Sequence, residues 1–354
     1  MATAEYGSAA DMVYKDTLRA EEYRRTIEKI DIFNQASAGA IVLESDPARQ
    51  MALGGDFTDT ARWKPIDSLV SSRNNDSPGD AVNVRKLEMT GGKLVSQTKG
   101  CGPVAVTDIQ ARKAGRAFDM NAAMVNLGQQ FADSKILTIR NNIIAAAVAA
   151  VDSADTTDGT TASSNIHVLD VSRGKTAGQK VTASMAHMNV LLAKMGDARE
   201  EILTFVMPSA VFADLVGDAI ANYKFERVAG VAIYRDVVQA FGRTVLVVDA
   251  PSLINTQTSG YFTDYVVLGL GGGSLTARVI YDQGIEIQRD ILKESSVTYV
   301  REDFDVQYEV YGMKWASATD NPTDAELATA ANWDEDYQDH RQLKVVKGIF
   351  NATV

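Results

Sequence analysis

Residues 120–151 read MNAAMVNLGQQFADSKILTIRNNIIAAAVAAV, a stretch without proline. Met120, Met124, Leu127 and Phe131 are spaced four, three and four residues apart, which places them on one face of a helix. The alanine-rich end favours helix, and Asp119 is a good N-cap. The stretch therefore predicts one helix over 119–151, roughly 48 Å long at about 1.5 Å per residue, much longer than the usual helix of a globular protein.

The chain before this helix has two parts of different character. Residues 8–33 mix apolar and charged residues, and Glu21 precedes Arg24 and Arg25 at the spacing of helical ion pairs. They predict an amphipathic helix, which is either a surface helix of its own subunit or an arm lying on a neighbour. Residues 34–101 carry short apolar runs between Gly, Pro and Asn, which indicate hairpins. The polar segment from about Arg62 to Gly100 cannot bury much on its own, so we predict an extended two-stranded arm that docks on other chains.

The chain after the long helix predicts a mixed domain and then antiparallel strands. A helix capped by Thr182, a strand over 202–207, a helix opened by Pro208 and a strand over 244–248 indicate a small α/β domain. Residues 261–317 are rich in strands, and 305–311 alternate polar and apolar residues as a half-buried strand does. A short tail helix is predicted over 323–331. The fold class is α+β.

Composition excludes several classes of protein. The 354 residues carry a net charge of −11, with no run of Lys and Arg beyond pairs, which disfavours a sequence-specific nucleic-acid reader. One cysteine and three scattered histidines allow no internal disulfide and show no metal-ligand spacing. Neither a signal peptide nor a membrane span is predicted. We expect a protein made and used in the cytoplasm or in something assembled there.

Two glycine-containing loops resemble nucleotide-binding motifs only in part. Residues 173–176, Arg-Gly-Lys-Thr, lack the first glycine of a P-loop, because Leu169 stands at that position. Residues 269–274 resemble a dinucleotide loop, but an apparent strand follows where a helix is required, so a hairpin turn is predicted. The carboxylates at 302–303 and 334–336 are expected to lie on solvated faces. We predict no enzyme activity, no catalytic residue, no cofactor and no metal.

The order of these elements resembles the major capsid proteins of tailed bacteriophages, which share the Hong Kong 97-type fold. Residues 204–209 with the helix after them, and residues 242–249, resemble strands of that family's A-domain, and 265–315 resemble its closing strands. The resemblance implies an N-arm at 1–54, an E-loop at 55–102, a P-domain at 103–176 that includes the spine helix 119–151, an A-domain at 177–260, further P-domain strands at 261–318 and a C-terminal tail at 319–354.

The resemblance implies a coat subunit that self-assembles into hexamers and pentamers of an icosahedral phage head around the DNA genome. Its implied place is the virion, assembled in the host cytoplasm, and its implied partners are copies of itself with scaffolding, portal and decoration proteins. Packaged DNA is contacted only non-specifically, and no membrane is involved. The helix before the arm is shorter than the cleaved N-terminal scaffold of some members, so a separate scaffolding protein is expected. The predicted interface residues are Trp63, Arg85 and Lys86 on the arm, with Tyr223, Phe225 and Arg227 near a capsomer centre.

Three other functions stay open at this point. An encapsulin-like nanocompartment shell would have the same fold and an enzyme cargo. A cytosolic α/β enzyme would bind a small molecule in a pocket, and another virion part such as a tail tube would form tubes.

Overall fold

The computed structural model describes the long helix, the root of the arm and most of the strands. The described residues are 9–45, 58–63, 86–87, 89–107, 120–154, 166–172, 181–222, 239–240, 242–256, 263–290, 297–336 and 343–352.

The chain contains both helices and strands, as predicted for the α+β class. The helices are α1 (Ala9–Ala36), α2 (Met120–Ala154), α3 (Met185–Ala193), α4 (Ser209–Asn222) and α5 (Asp324–Leu327), with 3-10 turns at Gly196–Glu201, Pro251–Leu253 and Ala330–Asn332. The strands are β1 (Ile41–Ser45), β2 (Thr58–Trp63), β3 (Met89–Thr107), β4 (Val168–Asp170), β5 (Ile202–Met207), β6 (Gln239–Ala240), β7 (Arg243–Val247), β8 (Ile254–Thr256), β9 (Thr263–Gly271), β10 (Leu275–Asp290), β11 (Val297–Val310), β12 (Met313–Trp315), β13 (Trp333–Glu335) and β14 (Val345–Asn351).

The long helix predicted from the sequence is confirmed as α2, which has 35 residues. At about 1.5 Å per residue it is a rod of roughly 52 Å. The predicted apolar stripe faces inward, since Met124, Phe131, Ile139 and Ile143 are all buried. The predicted N-terminal helix is confirmed as α1, which packs against α2.

By length and composition, Met124–Ala154 of α2 could cross a membrane, which the sequence analysis did not anticipate. In the fold, 61% of its most apolar window is buried by other elements of the chain. The apolar residues of this helix are therefore explained by its place in the core, where they contact both sheets.

The first sheet has the strand order β1-β10-β11-β3-β2 and carries the arm at one edge. Its central strands are long and antiparallel, and β11 buries Val306, Tyr308 and Val310 on the face toward α2. The alternation predicted for 305–311 is therefore confirmed, because successive side chains of a strand point to opposite faces.

The second sheet has the order β4-β14-β9-β5-β7-β6, with β8 paired to β9. One face joins the core around α2 through Val206 and Leu268, and the other packs through Phe205 against α3 and α4. A layered α/β unit results, as predicted from the strand and helix order. The sheet also takes β4, β9 and β14 from outside the predicted A-domain 177–260, and the domain boundaries stay predictions.

The tail is held by a small sheet of β12 and β13. The indole rings of Trp315 and Trp333 meet edge to face, with centroids 5.4 Å apart, and both side chains are buried. Aromatic pairs of this geometry add stability beyond their buried area. The tail is thereby fixed to the body of the subunit.

Several local predictions were wrong. The cap of α3 is Ser184 and not Thr182, and the tail helix predicted over 323–331 is the short α5 followed by a 3-10 turn. The arm predicted from about Arg62 to Gly100 is shorter at its C-terminal end, because β3 pairs with β11 of its own subunit from Val95 onward. Residues 275–290 form one long strand, β10. A register shift between Asp282 and Gly284 lets β10 continue, because a bulge absorbs an irregular residue without ending the ladder.

Candidate functional site

The pairing of β2 with β3 continues past the point where β3 stops pairing with β11. The pairing of β3 with β11 ends at Val95, and from Leu94 to Met89 the strand pairs with β2. Six residues at about 3.3 Å each carry Met89 roughly 20 Å past the end of the β11 pairing. Leu87 and Met89 are 58% and 56% exposed, although both are large apolar side chains. The described end of the arm thus offers apolar surface that its own subunit leaves uncovered.

Only two of the six predicted interface residues lie in the described part of the chain. Lys86 is exposed at the arm, and the register of the hairpin pairs Trp63 with Met89. The side chain of Trp63, and the residues Arg85, Tyr223, Phe225 and Arg227, lie outside the described part of the chain. The interface assignment of these six residues stays a prediction.

Helix α1 lies against the spine helix α2 at very short range. A Cβ atom on Gly128 of α2 would come within 2.8 Å of the Leu18 carbonyl oxygen and 3.3 Å of the Glu22 nitrogen. Only glycine permits this approach of two helix backbones. Of the two hypotheses for α1, a surface helix of its own subunit or an arm on a neighbour, the structure supports the first for the described residues.

A buried cluster of three charged side chains joins α1, α2 and β11. The Lys135 ammonium lies 2.7 Å from Glu302 Oε1 and 3.3 Å from Glu22 Oε1, and the Thr26 hydroxyl donates to Glu22 over 2.9 Å. The ammonium also sits 4.7 Å from the ring centroid of Phe304. Removing one member of a buried ion pair leaves an uncompensated charge, so these contacts specify how the three elements meet.

The position of Glu302 corrects the sequence analysis, which expected a solvated carboxylate. Its side chain is 1% exposed. The sequence held a signal for this burial. Alternate residues of a strand point to the same face, and Glu302 therefore lies on the inward face with Val300, Phe304 and Val306. Its neighbour Asp303 points the other way and pairs with Arg301.

A second polar cluster binds the tail to the root of the arm. Asp324 at the start of α5 accepts hydrogen bonds from Gln97 and Asn142, each over 2.9 Å, and from Lys99. Gln97 also donates to the Pro322 carbonyl over 2.7 Å. Residues of β3, α2 and the tail are therefore joined at one point.

The electrostatics of this second cluster follow from its contacts. Burial alone would raise the pKa of Asp324, but the hydrogen bonds from Lys99, Gln97 and Asn142 and the charge of Lys99 lower it below its ordinary value. Burial raises the pKa of the neighbouring Tyr308 hydroxyl, against the opposing effect of a hydrogen bond with Asn142. The tail contact is therefore strongest with an ionised Asp324.

In the described ranges, no group of three His, Cys, Asp or Glu side chains is arranged to hold a metal ion. The P-loop-like residues 173–176 lie outside the described part. In the glycine-rich loop, 269–271 belong to β9 and 272–273 form a turn before β10, so a strand does follow the loop as predicted. The predicted hairpin is wrong, because β9 and β10 lie in different sheets and the turn connects the two sheets.

A family model described as major capsid protein 13-like matches residues 11–346. The chain belongs to the major capsid protein 13-like family. This family is a structural one, so the capsid protein is a component of the virion with a structural role. The match spans the arm, the spine helix, both sheets and most of the tail.

Solved phage capsid structures are similar to this capsid protein. The capsid of cyanophage Pam1 is similar with a TM-score of 0.52 and 17% identity, covering 90% of this chain and 92% of that one. The capsids of Ralstonia phage GP4 and Helicobacter pylori bacteriophage KHP30 give TM-scores of 0.49 and 0.48 at 10% and 11% identity, and they cover 89% and 88% of this chain and 88% of each of those chains. No curated protein sequence matches significantly. The predicted α+β fold of Hong Kong 97 type is confirmed.

Proposed function

We propose that this major capsid protein self-assembles into hexameric and pentameric capsomers of an icosahedral phage head that encloses the DNA genome. The observation that carries the proposal is the arm of β2 and β3, which extends past the pairing of β3 with β11 and exposes Leu87 and Met89. Exposed apolar side chains of this size on a projecting hairpin gain stability when another copy covers them. Family membership supports a copy of the same chain as that partner.

Closed shells follow from contacts of this kind. An arm that binds a different surface on the next copy makes a heterologous contact, and repeated rotation closes such contacts into rings. Rings of six and five subunits build an icosahedral shell. The root of the arm is linked to the rest of the subunit, because Asp324 of the tail accepts hydrogen bonds from Gln97 of β3 and Asn142 of α2.

The remaining partners are proposed from the net charge and the family, and no described contact supports them. The net charge of −11 suits a shell that contacts packaged DNA only non-specifically. Scaffolding, portal and decoration proteins are proposed partners, and assembly is proposed to take place in the host cytoplasm. The encapsulin-like shell, the cytosolic enzyme and the tail tube are not favoured, because the family match is to major capsid proteins.

The test is to express the full chain, isolate particles by sedimentation and examine them by electron microscopy. Spherical shells support the proposal, and a stable monomer at high concentration, or tubes, would contradict it. Removing residues 70–90 should leave a folded subunit that no longer assembles, since exposed Leu87 and Met89 are lost while every pairing of β3 with β11 is kept. Circular dichroism reports the fold of that variant, and shells formed without the arm would refute its role.

A further inference from the structure

The loop that joins β12 to β13, residues 316–332, is named here the tail loop. Its two ends meet, because Trp315 pairs with Trp333 in the small sheet and both side chains are buried. The Trp333 indole N–H donates to the Leu327 carbonyl over 2.9 Å, and the Ser153 hydroxyl of α2 donates to the Trp333 carbonyl over 2.6 Å. The tail loop is therefore anchored to the core of the subunit.

The tip of the tail loop lies on the edge of β3 that β2 leaves. The described pairing of β2 with β3 runs from Met89 to Leu94. Four residues farther along β3, the Thr98 backbone N–H donates to Asn321 Oδ1 over 3.0 Å. Backbone N–H groups alternate between the two edges of a strand, so those of Leu94 and Thr98 point to the same edge. Asn321 thus pairs with a donor that lies in line with the ladder of β2.

The tip also holds one face of β3. The Gln97 side-chain amide donates to the Pro322 carbonyl over 2.7 Å and to Asp324 Oδ1 over 2.9 Å, and Gln97 is almost fully buried. The Lys99 ammonium pairs with the same carboxylate, and hydrogen bonds with charged partners are stronger than neutral ones. Three consecutive residues of β3 are therefore held, two by their side chains and one by its backbone.

These contacts lie where the arm leaves the subunit. The pairing of β3 with β11 ends at Val95, and the pairing with β2 begins at Leu94. Thr98 is four residues from Leu94, or about 13 Å along the strand. Each backbone N–H is a single donor, so the ladder of β2 cannot extend to Thr98 while Asn321 accepts its hydrogen bond.

A fixed exit of the arm matters for assembly. Heterologous contacts close into rings only when each copy is related to the next by the same rotation. An arm root that opens lets this rotation vary from copy to copy, so the rings close irregularly.

We infer that Asn321, Pro322 and Asp324 form a stop on β3 that fixes where the arm leaves the subunit and thereby makes the shells uniform. This inference rests on the proposed assembly into shells and names the device that controls the arm. Asn321 is a positioning residue, because it acts on the arm through the backbone of β3.

Hydrogen exchange of the full-length subunit, below the concentration at which it assembles, tests the stop itself. Asn321→Ala removes the acceptor of the Thr98 N–H, and exchange in peptides that contain Thr98 should become roughly five- to tenfold faster, the effect of losing one hydrogen bond. Asn321→Asp keeps an oxygen at this position and should exchange like the native chain. Asp320→Ala is the matched control, because Asp320 is exposed and makes no hydrogen bond or ion pair with the described ranges of the chain. Unchanged exchange in Asn321→Ala would overturn the stop.

Electron microscopy of the particles tests the consequence for assembly. The native chain, Asn321→Asp and Asp320→Ala should form shells of one diameter, whereas Asn321→Ala should lose this uniformity and give shells of mixed diameters. Uniform shells from Asn321→Ala at the native yield would overturn the control of assembly by the stop. A native chain that forms no shells would instead contradict the proposed function, and hydrogen exchange at Thr98 would still decide whether the stop exists.

Discussion

The Nζ atom of Lys135 lies 2.7 Å from Oε1 of Glu302, and both side chains are almost fully buried between the spine helix and the first sheet. This pair, with Glu22 of α1, is a buried group of three charged side chains. Burying a charge costs free energy unless an opposite charge lies close to it. Helix α2 and strand β11 must therefore pack in the one position that brings Lys135 and Glu302 together. The pair therefore links β11 of the first sheet, which carries the arm, to helix α2.

Glu302→Ala should destabilise the subunit by about 3–5 kcal/mol, because the Lys135 ammonium then loses its nearer carboxylate inside the core. The free energy of unfolding in urea measures this effect. Asp303→Ala is the matched control, since Asp303 points outward to a half-exposed Arg301 and should cost about 1 kcal/mol or less. Equal losses for the two variants would contradict a structural role of the buried cluster.

Gly128→Ala should destabilise by about 1–3 kcal/mol, because the new methyl group would force the backbones of α1 and α2 apart at Leu18. Gly217→Ala in α4 is the control, where a Cβ meets nothing within 4 Å. There alanine should stabilise by about 0.5–1 kcal/mol through its helix propensity. Thermal unfolding of the two variants separates the predictions by sign, and stabilisation at both sites would refute the close approach of the helices.

The contact between the tail and the arm root should weaken in acid. The pKa of Asp324 is lowered in the folded chain, so its contribution is present above the unfolded pKa of about 3.9 and is lost as the pH falls through the folded value. Asp324→Asn should therefore be less stable than the native chain at neutral pH, with a difference that shrinks below about pH 4. Asp320→Asn, an exposed neighbour, should show no such difference. A difference between native chain and Asp324→Asn that is independent of pH would count against the ionised contact.

Ser184→Ala should cost about 1 kcal/mol, because the Ser184 hydroxyl accepts the His187 backbone N–H at the start of α3. Thr182→Ala should change the free energy of unfolding by no more than about 0.5 kcal/mol, since Thr182 lies before the cap. The same urea titration compares both variants. A larger loss at Thr182 would restore the cap predicted from the sequence.

The sequence pattern predicted the helices and strands whose periodicity is visible in consecutive residues. The proline-free stretch at 120–151, the strand at 202–207 and the alternation at 305–311 all appear as predicted, because helix and strand periodicity are properties of consecutive residues. The caps were less predictable, since Thr182 and Ser184 are both good N-cap residues and only the backbone of the folded chain selects one. The predicted interface stays a prediction, because most of its residues lie outside the described part of the chain.

The sequence by itself determined the long spine helix, the α+β class and the alternating strand at 305–311. Only the tertiary structure decided that α1 lies on its own subunit, that Gly128 is the point of close approach, and that Glu302 meets Lys135 inside the core. The physical reason is distance along the chain. Glu302 and Lys135 are 167 residues apart, so no periodicity links them, and only the packing of α2 on β11 brings their charges together.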